Sequence, residues 1–216
     1  KPDCLLGLAT GGTPEGAYAE LARLHSEEGL DFSRVRTVNL DEYVGLPHSD
    51  PQSYYRYMHR NLFDLVNIPE ENTFLPNGMA SDLSAACREY DEILASMGRQ
   101  DVQLLGIGQN GHIGFCEPGE ALAATTSVIT LSESTRKANA RFFPSLSEVP
   151  TQALSLGVRQ IMSARRILLI ACGAEKSAIL HSALNGPITT KNPASLIQLH
   201  PDVTVIDATG CVGSVA

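Results

Sequence analysis

An α/β fold with a doubly wound, mostly parallel sheet and helices on both faces is the fold class that the sequence predicts. Short apolar runs alternate along the chain with amphipathic stretches of helical spacing, a pattern typical of strands joined by crossover helices. The runs are apolar throughout, as in strands that are covered on both faces. No repeat, linker or low-complexity tract divides the chain, so residues 1–216 are interpreted as a single domain.

The first elements are a strand, a turn and a helix. The run Cys4–Ala9 predicts a buried strand, and apolar residues at helical spacing predict a helix over Glu15–Glu28. Thr13 is the expected N-cap with Pro14 as the first helical residue, and Gly29 is the expected stop.

The same alternation continues to the end of the chain. Short apolar runs predict four more strands, at Val35–Leu40, Val102–Ile107, Arg166–Ala171 and Val203–Asp207. Helical spacing predicts three more helices, at Tyr54–Val66, Ser81–Met97 and Glu175–Leu184. Ser81 is expected to cap its helix, and Gly98 to end it. In such Rossmann-like sheets ligands bind beyond the carboxyl ends of the strands, so the turns after the first three strands are the predicted site.

Composition and charge argue against several classes of protein. A formal net charge of −8 does not suit a broad basic surface that binds nucleic acid. No apolar run approaches the roughly 20 residues that span a membrane, and no metal-ligand spacing such as HExxH is present, so neither a membrane partner nor a metal or other cofactor is expected. Five dispersed cysteines without a CxxC pair indicate free thiols in a reducing compartment, so a cytoplasmic location is expected: Cys4, Cys87, Cys116, Cys172 and Cys211.

The turn after the first strand, with the sequence TGGTP, is a candidate anion site. Gly11 and Gly12 let the backbone approach a ligand closely, and Thr10 and Thr13 flank them. Free N–H groups at a helix N-terminus favour a phosphate. The alternative is a plain strand-to-helix turn: no P-loop lysine follows, and the carboxylate of Glu15 would repel a phosphate unless it points away.

Two adjacent carboxylates end the second predicted strand, in the run NLDEY. Asp41 and Glu42 alternate in direction along an extended chain, so one of them is expected to face a cleft. A carboxylate there is suited to remove a proton next to a carbonyl as a general base. An ordinary acidic loop is the alternative.

The stretch Gly106–Gly119, GIGQNGHIGFCEPG, places a histidine among glycines. A backbone folded tightly around His112 indicates a ligand site, and Glu117 follows five residues later. A His/Glu pair is a working acid–base unit, because the carboxylate fixes the tautomer and orientation of the imidazole. A structural turn is the alternative interpretation.

Two isolated cations complete the set of candidates. Arg141 lies in the run KANARFF, and Lys176 lies at the start of a predicted helix. Either could hold a phosphate dianion, although solvated surface is the usual role of such residues.

Taken together and in this order, LATGGTP, NLDEY, GIGQNGHIGFCEPG, ARFF and the Gly-Ala-Glu-Lys run resemble the glucosamine-6-phosphate deaminases (isomerising), and the resemblance extends over nearly the whole chain. It implies a hydrolase of amino-sugar metabolism that needs no metal. The substrate would be a small amino-sugar phosphate, glucosamine 6-phosphate, and the products fructose 6-phosphate and ammonia.

The resemblance also implies a role for each candidate residue. Asp41 would be the base for enolisation, and His112 the acid–base group that opens the sugar ring, supported by Asn110 and Glu117. The phosphate would be held by the remaining candidates, namely Thr13, Arg141, Lys176 and the turn formed by Thr10, Gly11 and Gly12.

The chain departs from the commoner family pattern at two positions of the glycine-rich stretch. Many members carry aspartate where Asn110 stands, so Glu117 would supply more of the negative charge beside His112. Members commonly carry asparagine where Cys116 stands, so a polar contact is expected to be lost there. Most members also begin with a further strand and helix before the segment that starts at Lys1, so the sheet is expected to lack its first strand and helix in this chain.

Two other functions remain open at the level of sequence. A sister family, the 6-phosphogluconolactonases, shares the fold, and there His112 would activate a water. A sugar-phosphate-sensing module would bind without turnover. The segment Ser132–Pro144 is expected to form a mobile lid, and the sequence does not decide between a monomer and a homo-oligomer.

Overall fold

The computed structural model describes residues 1–210, and within them nine strands and six α-helices follow one another. In chain order the strands are β1 (Leu5–Leu8), β2 (Arg36–Asn39), β3 (Asp41–Tyr43), β4 (Thr73–Phe74), β5 (Val102–Gly106), β6 (Ser127–Thr130), β7 (Gln152–Ser155), β8 (Ile167–Cys172) and β9 (Val203–Ala208). The helices are α1 (Glu15–Glu28), α2 (Tyr54–Asn61), α3 (Leu83–Met97), α4 (Glu133–Asn139), α5 (Val158–Met162) and α6 (Ser177–Asn185).

Six of the strands form one parallel sheet of order β4-β2-β1-β5-β8-β9. Leu104 and Leu105 are neighbours on β5 and are both buried, so both faces of the sheet are covered. The main core includes Tyr18 of α1, Tyr90 of α3 and Leu180 of α6. The predicted doubly wound parallel sheet is therefore confirmed.

Two buried tyrosines fix the strand ends that matter for the site. The Tyr18 hydroxyl donates to the carbonyl of Ala9, directly after β1, at 2.6 Å, and the Tyr90 hydroxyl donates to the carbonyl of Asn39, at the end of β2, at 2.7 Å. Each ring packs in the core while its hydroxyl satisfies a carbonyl that leaves the sheet.

A second, antiparallel sheet of order β3-β7-β6 was not predicted. Asp41 of β3 is paired with Ser155 of β7, and Ser155 in turn with Ser127 of β6. One face packs on a small cluster around Tyr43 and the other on a small cluster around Leu154. The sequence placed Asp41 at the turn after the second predicted strand. In the structure it lies on a separate strand, β3.

Several predicted helix ends are wrong, and each has a local cause. Thr13 does not cap α1: Pro14 takes the N-cap position, and its carbonyl accepts from the N–H of Tyr18. Helix α3 is capped by Asp82, whose carboxylate accepts from the N–H of Ala85 at 2.9 Å, and not by Ser81.

Other boundaries agree or shift by a turn. Helix α2 ends at Asn61 and not at Val66, because Leu62 leaves the helical region and a 3-10 turn follows. Helix α6 starts at Ser177, after a 3-10 turn that contains Lys176. The expected stop at Gly29 is confirmed, since its φ of 73° places it in the left-handed region that favours glycine.

The order of the strands places a crevice at the carboxyl ends of β1 and β5. From β1 the chain runs first to β2 on one side and later returns to β5 on the other, which makes this the topological switch point. The turn after β1 and the glycine-rich stretch after β5 therefore meet. No helix within residues 1–210 is both long and apolar enough to cross a membrane.

Candidate active site

The turn Thr10–Pro14 lies at this crevice, half-buried, against the end of β5. A Cβ atom on Gly106 would lie 3.8 Å from the Thr13 hydroxyl. Among the described residues, the backbone N–H groups of Gly11, Gly12 and Thr13 donate to no other protein group. Three free N–H groups at one strand end can receive an anion.

Glycines shape the turn around His112. Its carbonyl accepts from the N–H of Gly108 at 2.9 Å, and the carbonyl of Gly108 accepts from the N–H of Gly111. A Cβ atom on Gly108 would lie 2.2 Å from the imidazole Cε1, so only glycine leaves room for the ring. Gly111 has a φ of 89°, and a Cβ atom there would lie 2.3 Å from the side-chain oxygen of Asn192. The glycines therefore bring the backbone close to the imidazole; that this turn encloses a ligand stays a prediction.

Asn110 stands between His112 and Glu117 and contacts both. Its Nδ2 donates to Oε2 of Glu117 at 2.7 Å, and its Oδ1 lies 2.7 Å from the imidazole Nδ1. Because an ionised carboxylate only accepts hydrogen bonds, the amide has to turn Nδ2 toward Glu117 and Oδ1 toward the ring. Nδ1 of His112 then carries the proton, and Nε2 is left as the free base.

The pKa of His112 is lowered. Burial lowers it most, the carboxylate of Glu117, with Oε2 3.9 Å from Nδ1, offsets part of this shift, and the charge of Lys176 lowers it further. The neutral ring with a free Nε2 is the form that can accept a proton.

Asp41 and Glu42 have separate environments, as their alternation predicted. Glu42 is 2% exposed and accepts from the N–H groups of Tyr43, Tyr54 and Tyr55, the last two in the first turn of α2. It therefore has a structural position, and burial raises its pKa to about 7 against the effect of these hydrogen bonds.

The carboxyl of Asp41 faces the glycine-rich stretch. A Cβ atom on Gly114, which has a φ of 56°, would lie 3.6 Å from Oδ2 of Asp41. The side chain accepts no hydrogen bond from the described residues and is buried. Burial, with a smaller contribution from the charge of Glu42, raises the pKa of Asp41 to about 8.

Of the two candidate cations, Arg141 approaches the turn after β1, and Lys176 lies in the turn after β8. Nη2 of Arg141 would lie 3.9 Å from a Cβ atom on Gly12, and the guanidinium stacks over the Phe142 ring. Burial lowers the pKa of the Lys176 ammonium, the carboxylate of Glu175 offsets part of this shift, and the charge of Arg141 adds a smaller lowering. An arginine and a lysine whose charges repel each other fit a shared anion.

Cys116 is buried beside this cluster and is not a reactive thiol. Its Sγ donates to the carbonyl of Leu156 at 3.4 Å, and burial, with a smaller effect of Asp41, raises its pKa to about 12. Within residues 1–210, no three His, Cys, Asp or Glu side chains converge as a metal site would need. Cys211 lies outside the described residues.

Sequence reasoning missed three side chains at this site. Thr135 and Ser132 of the α4 region donate to Oε1 of Glu117, and Asn139 donates to the Tyr43 hydroxyl at 2.9 Å. The only signal was a helix-like polar segment at Ser132–Pro144, which forms α4 and a 3-10 turn. Its contacts join residues far apart in the sequence, so no local spacing reveals them.

Comparison with known proteins agrees with this architecture and this set of residues. The family model described as glucosamine-6-phosphate isomerases/6-phosphogluconolactonase matches residues 1–206. The chain therefore belongs to this family of α/β proteins.

Within the family, highly similar relatives are deaminases. The glucosamine-6-phosphate deaminase of Lachnoclostridium phytofermentans is 52% identical over 206 residues, which are 95% of this chain and 87% of that protein. The glucosamine-6-phosphate deaminase 1 of Bacillus subtilis is also 52% identical, over 95% of this chain and 85% of its own. The resemblance inferred from the motifs is confirmed.

Solved structures support the fold in the same way. The structure of a monomeric glucosamine-6-phosphate deaminase superimposes with a TM-score of 0.93 at 52% identity, covering 95% of this chain and 85% of that one. A 6-phosphogluconolactonase from Thermotoga maritima reaches a TM-score of 0.74 at 22% identity, a likeness of fold alone. The lactonases are thus the more distant branch.

Proposed function

We propose that the protein converts glucosamine 6-phosphate into fructose 6-phosphate and ammonia. One observation supports this most directly: the unpaired, buried carboxyl of Asp41 lies against the same glycine-rich stretch that holds His112 and its Asn110–Glu117 support. A base and an oriented imidazole so placed are what an aldose–ketose isomerisation needs.

Ring opening is assigned to His112. Its free Nε2 accepts the proton of the O1 hydroxyl and returns it to O5 as the C1–O5 bond breaks, which gives the open aldehyde. Glu117 stabilises the transient imidazolium, because its carboxylate oxygen lies 3.9 Å from Nδ1. Asn110 fixes the orientation of the ring through its contact with Nδ1.

Isomerisation and deamination are assigned to Asp41. The carboxylate removes the C2 proton of the aldehyde, the electron pair forms the C1–C2 double bond, and O1 takes the carbonyl electron pair and a proton from water, which gives an enolamine. Return of the C2 proton to C1, with loss of one proton from the amino nitrogen, gives a ketimine, and water then adds at C2 and expels ammonia. Asp41 accepts no hydrogen bond from the described residues of the free protein. Hydrogen-bond donors of the bound substrate would supply such bonds and so favour the ionised form of its carboxyl.

The phosphate is assigned to the turn after β1 and the two cations. Backbone N–H groups of Gly11, Gly12 and Thr13, with Thr10 beside them, would receive its oxygens, and Arg141 and Lys176 would balance its charge. Binding at this remote group positions C2 over Asp41.

Lys176→Ala is expected to raise KM by about 10- to 100-fold, as loss of one charge-assisted contact would, and to change kcat little. Steady-state kinetics of ammonia release measures both. Lys191→Ala, on an exposed loop, is the matched control. An unchanged KM in Lys176→Ala would remove the lysine from the phosphate site.

The test of the function itself is ammonia release from glucosamine 6-phosphate, run beside hydrolysis of 6-phosphogluconolactone. Turnover of the amino sugar supports the proposal. Lactone hydrolysis alone assigns the protein to the other branch of its family, and binding without either reaction identifies a sensing module.

The expected setting follows from the thiols. The four cysteines within residues 1–210 are free, which suits a reducing compartment, so the enzyme is expected in the cytoplasm. A glucosamine-6-phosphate deaminase of known structure is a monomer, and we expect the same state here, to be measured by light scattering at assay concentration.

A further inference from the structure

Glu117 is held from two sides. Oε2 accepts from Asn110 at 2.7 Å, while Oε1 accepts from the hydroxyls of Thr135 and Ser132, both in the first turn of α4. Thr135 is 4% exposed, so its hydroxyl is shielded from competing water. The support of the acid–base pair therefore extends beyond the glycine-rich stretch to a separate helix.

Thr135 is the stronger of the two donors. The single hydroxyl proton of Ser132 has three acceptors within reach: Oε1 of Glu117 at 3.3 Å, Oγ1 of Thr135 at 3.0 Å and Oγ of Ser134 at 2.9 Å. Ser132 also caps α4 by accepting from the N–H of Thr135 at 3.1 Å. The contact from Thr135 Oγ1 to Glu117 is the shorter one, and hydrogen bonds to a carboxylate are among the strong ones.

The C-terminal end of helix α4 contacts the strand that carries Asp41 and leads to Arg141. Asn139, its last residue, donates to the hydroxyl of Tyr43, which lies two residues after Asp41 on β3. The next turn carries Arg141 over Gly12. A seven-residue helix thus touches the support of the imidazole, the strand of the base and the cation at the anion turn.

We propose that Thr135 is a positioning residue, through which helix α4 sets the carboxylate of Glu117 and thereby the tautomer of His112. The inference deepens the proposed deaminase function and rests on it. When Arg141 engages the substrate phosphate, α4 is held in place, and Thr135 keeps Oε1 of Glu117 fixed. Oε2 then holds Asn110 with Oδ1 toward the ring, so that Nε2 stays free for the O1 proton.

Loss of the hydroxyl has a defined consequence. Without a donor on Oε1, the carboxylate of Glu117 turns more freely. Asn110 then loses its fixed acceptor, and its amide can turn Nδ2 toward His112, which moves the ring proton to Nε2. The neutral imidazole can no longer accept the O1 proton.

The experiment compares Thr135→Val, which removes the hydroxyl at nearly constant shape, with Thr135→Ser, which keeps it. We expect Thr135→Val to lower kcat by about 10- to 100-fold, as loss of one hydrogen bond to a charged group would, with a far smaller change in KM. Thr135→Ser should restore most of the lost kcat.

An NMR measurement gives a readout apart from turnover. The ring ¹⁵N shifts of His112, assigned by their absence in His112→Ala, should show the Nδ1–H tautomer in the wild type and in Thr135→Ser. Thr135→Val should shift the population toward Nε2–H. Ser134→Ala removes an exposed hydroxyl of the same helix that does not contact Glu117, and should leave the tautomer and kcat unchanged.

The outcomes separate the two proposals. A wild type that releases no ammonia from glucosamine 6-phosphate contradicts the proposed function. An active wild type whose Thr135→Val variant keeps its tautomer and its kcat overturns the positioning role, as does a Thr135→Ser variant as impaired as Thr135→Val. If Thr135→Val does not fold, Thr135→Ala, which favours the helix, takes its place with the same expectations.

Discussion

Asp41→Asn is expected to lower kcat by about 10²- to 10⁴-fold, the usual contribution of a general base, while the enzyme still binds glucosamine 6-phosphate. The amide keeps the shape of the side chain but cannot take the C2 proton. Turnover is measured by ammonia release, and binding by calorimetry with the slowed variant. An Asp41→Asn enzyme with near-normal turnover would remove Asp41 from the reaction.

The same variant should be more stable than the wild type in alkaline solution. The pKa of Asp41 is about 8 in the folded protein, against 3.8 for an exposed aspartate, so the folded state holds a proton that the unfolded chain releases. Its contribution to stability is fully present below about pH 4 and is lost as the pH rises to about 8, at up to about 1.4 kcal/mol per pH unit.

The side-chain amide of the Asp41→Asn variant carries no such charge at any of these pH values. The difference in free energy of unfolding between this variant and the wild type should therefore grow across the window. Urea unfolding at pH 5, 7 and 9 measures it. A pH-independent difference would contradict the buried, unpaired state of the carboxyl.

Gly108→Ala is expected to lower kcat by about 10²- to 10⁴-fold, as much as loss of the acid–base group itself. A Cβ atom at this position would lie 2.2 Å from Cε1 of His112, with the two ring nitrogens within 2.5 Å, so the imidazole has to leave its place. The fold should survive, because the atoms in conflict belong to a side chain.

A double-variant cycle makes this prediction specific. If Gly108→Ala acts by displacing the ring, then Gly108→Ala combined with His112→Ala should be no slower than His112→Ala alone. Gly16→Ala, in the exposed first turn of α1 with no atom within 4 Å of the new Cβ, is the matched control and should keep full activity. Additive losses in the double variant would show that Gly108 acts by another route.

The parallel sheet could be predicted because burial on both faces leaves a local mark. Strands such as β1 and β8 are continuous apolar runs, and that pattern is contained within each run. The sheet β3-β7-β6 leaves no such mark, since its strands have three or four residues and Asp41 pairs with a residue more than a hundred positions later. Its formation is decided by packing and not by local pattern.

The candidate site divides in the same way. Motifs identified Asp41, His112 and Glu117, because adjacent carboxylates in the first case and surrounding glycines in the other two mark them in the sequence. Thr135 lies eighteen positions from Glu117, on a separate helix. In the sequence, a threonine in a polar helix is indistinguishable from a surface residue, and only the position of α4 in the fold shows its contact with Glu117. The roles of all these residues stay predictions until the variants are measured.

Asp41 and His112 belong to parts of the fold with different packing: Asp41 lies in the small antiparallel sheet, and His112 follows a strand of the main parallel sheet. The base belongs to the small antiparallel sheet, which rests on two minor clusters, whereas the imidazole follows a strand embedded in the main core. Regions with few buried contacts open at lower free energies than the global core. On heating, activity should therefore fail before the fold does, and a preparation with a fully native circular dichroism spectrum can already be inactive.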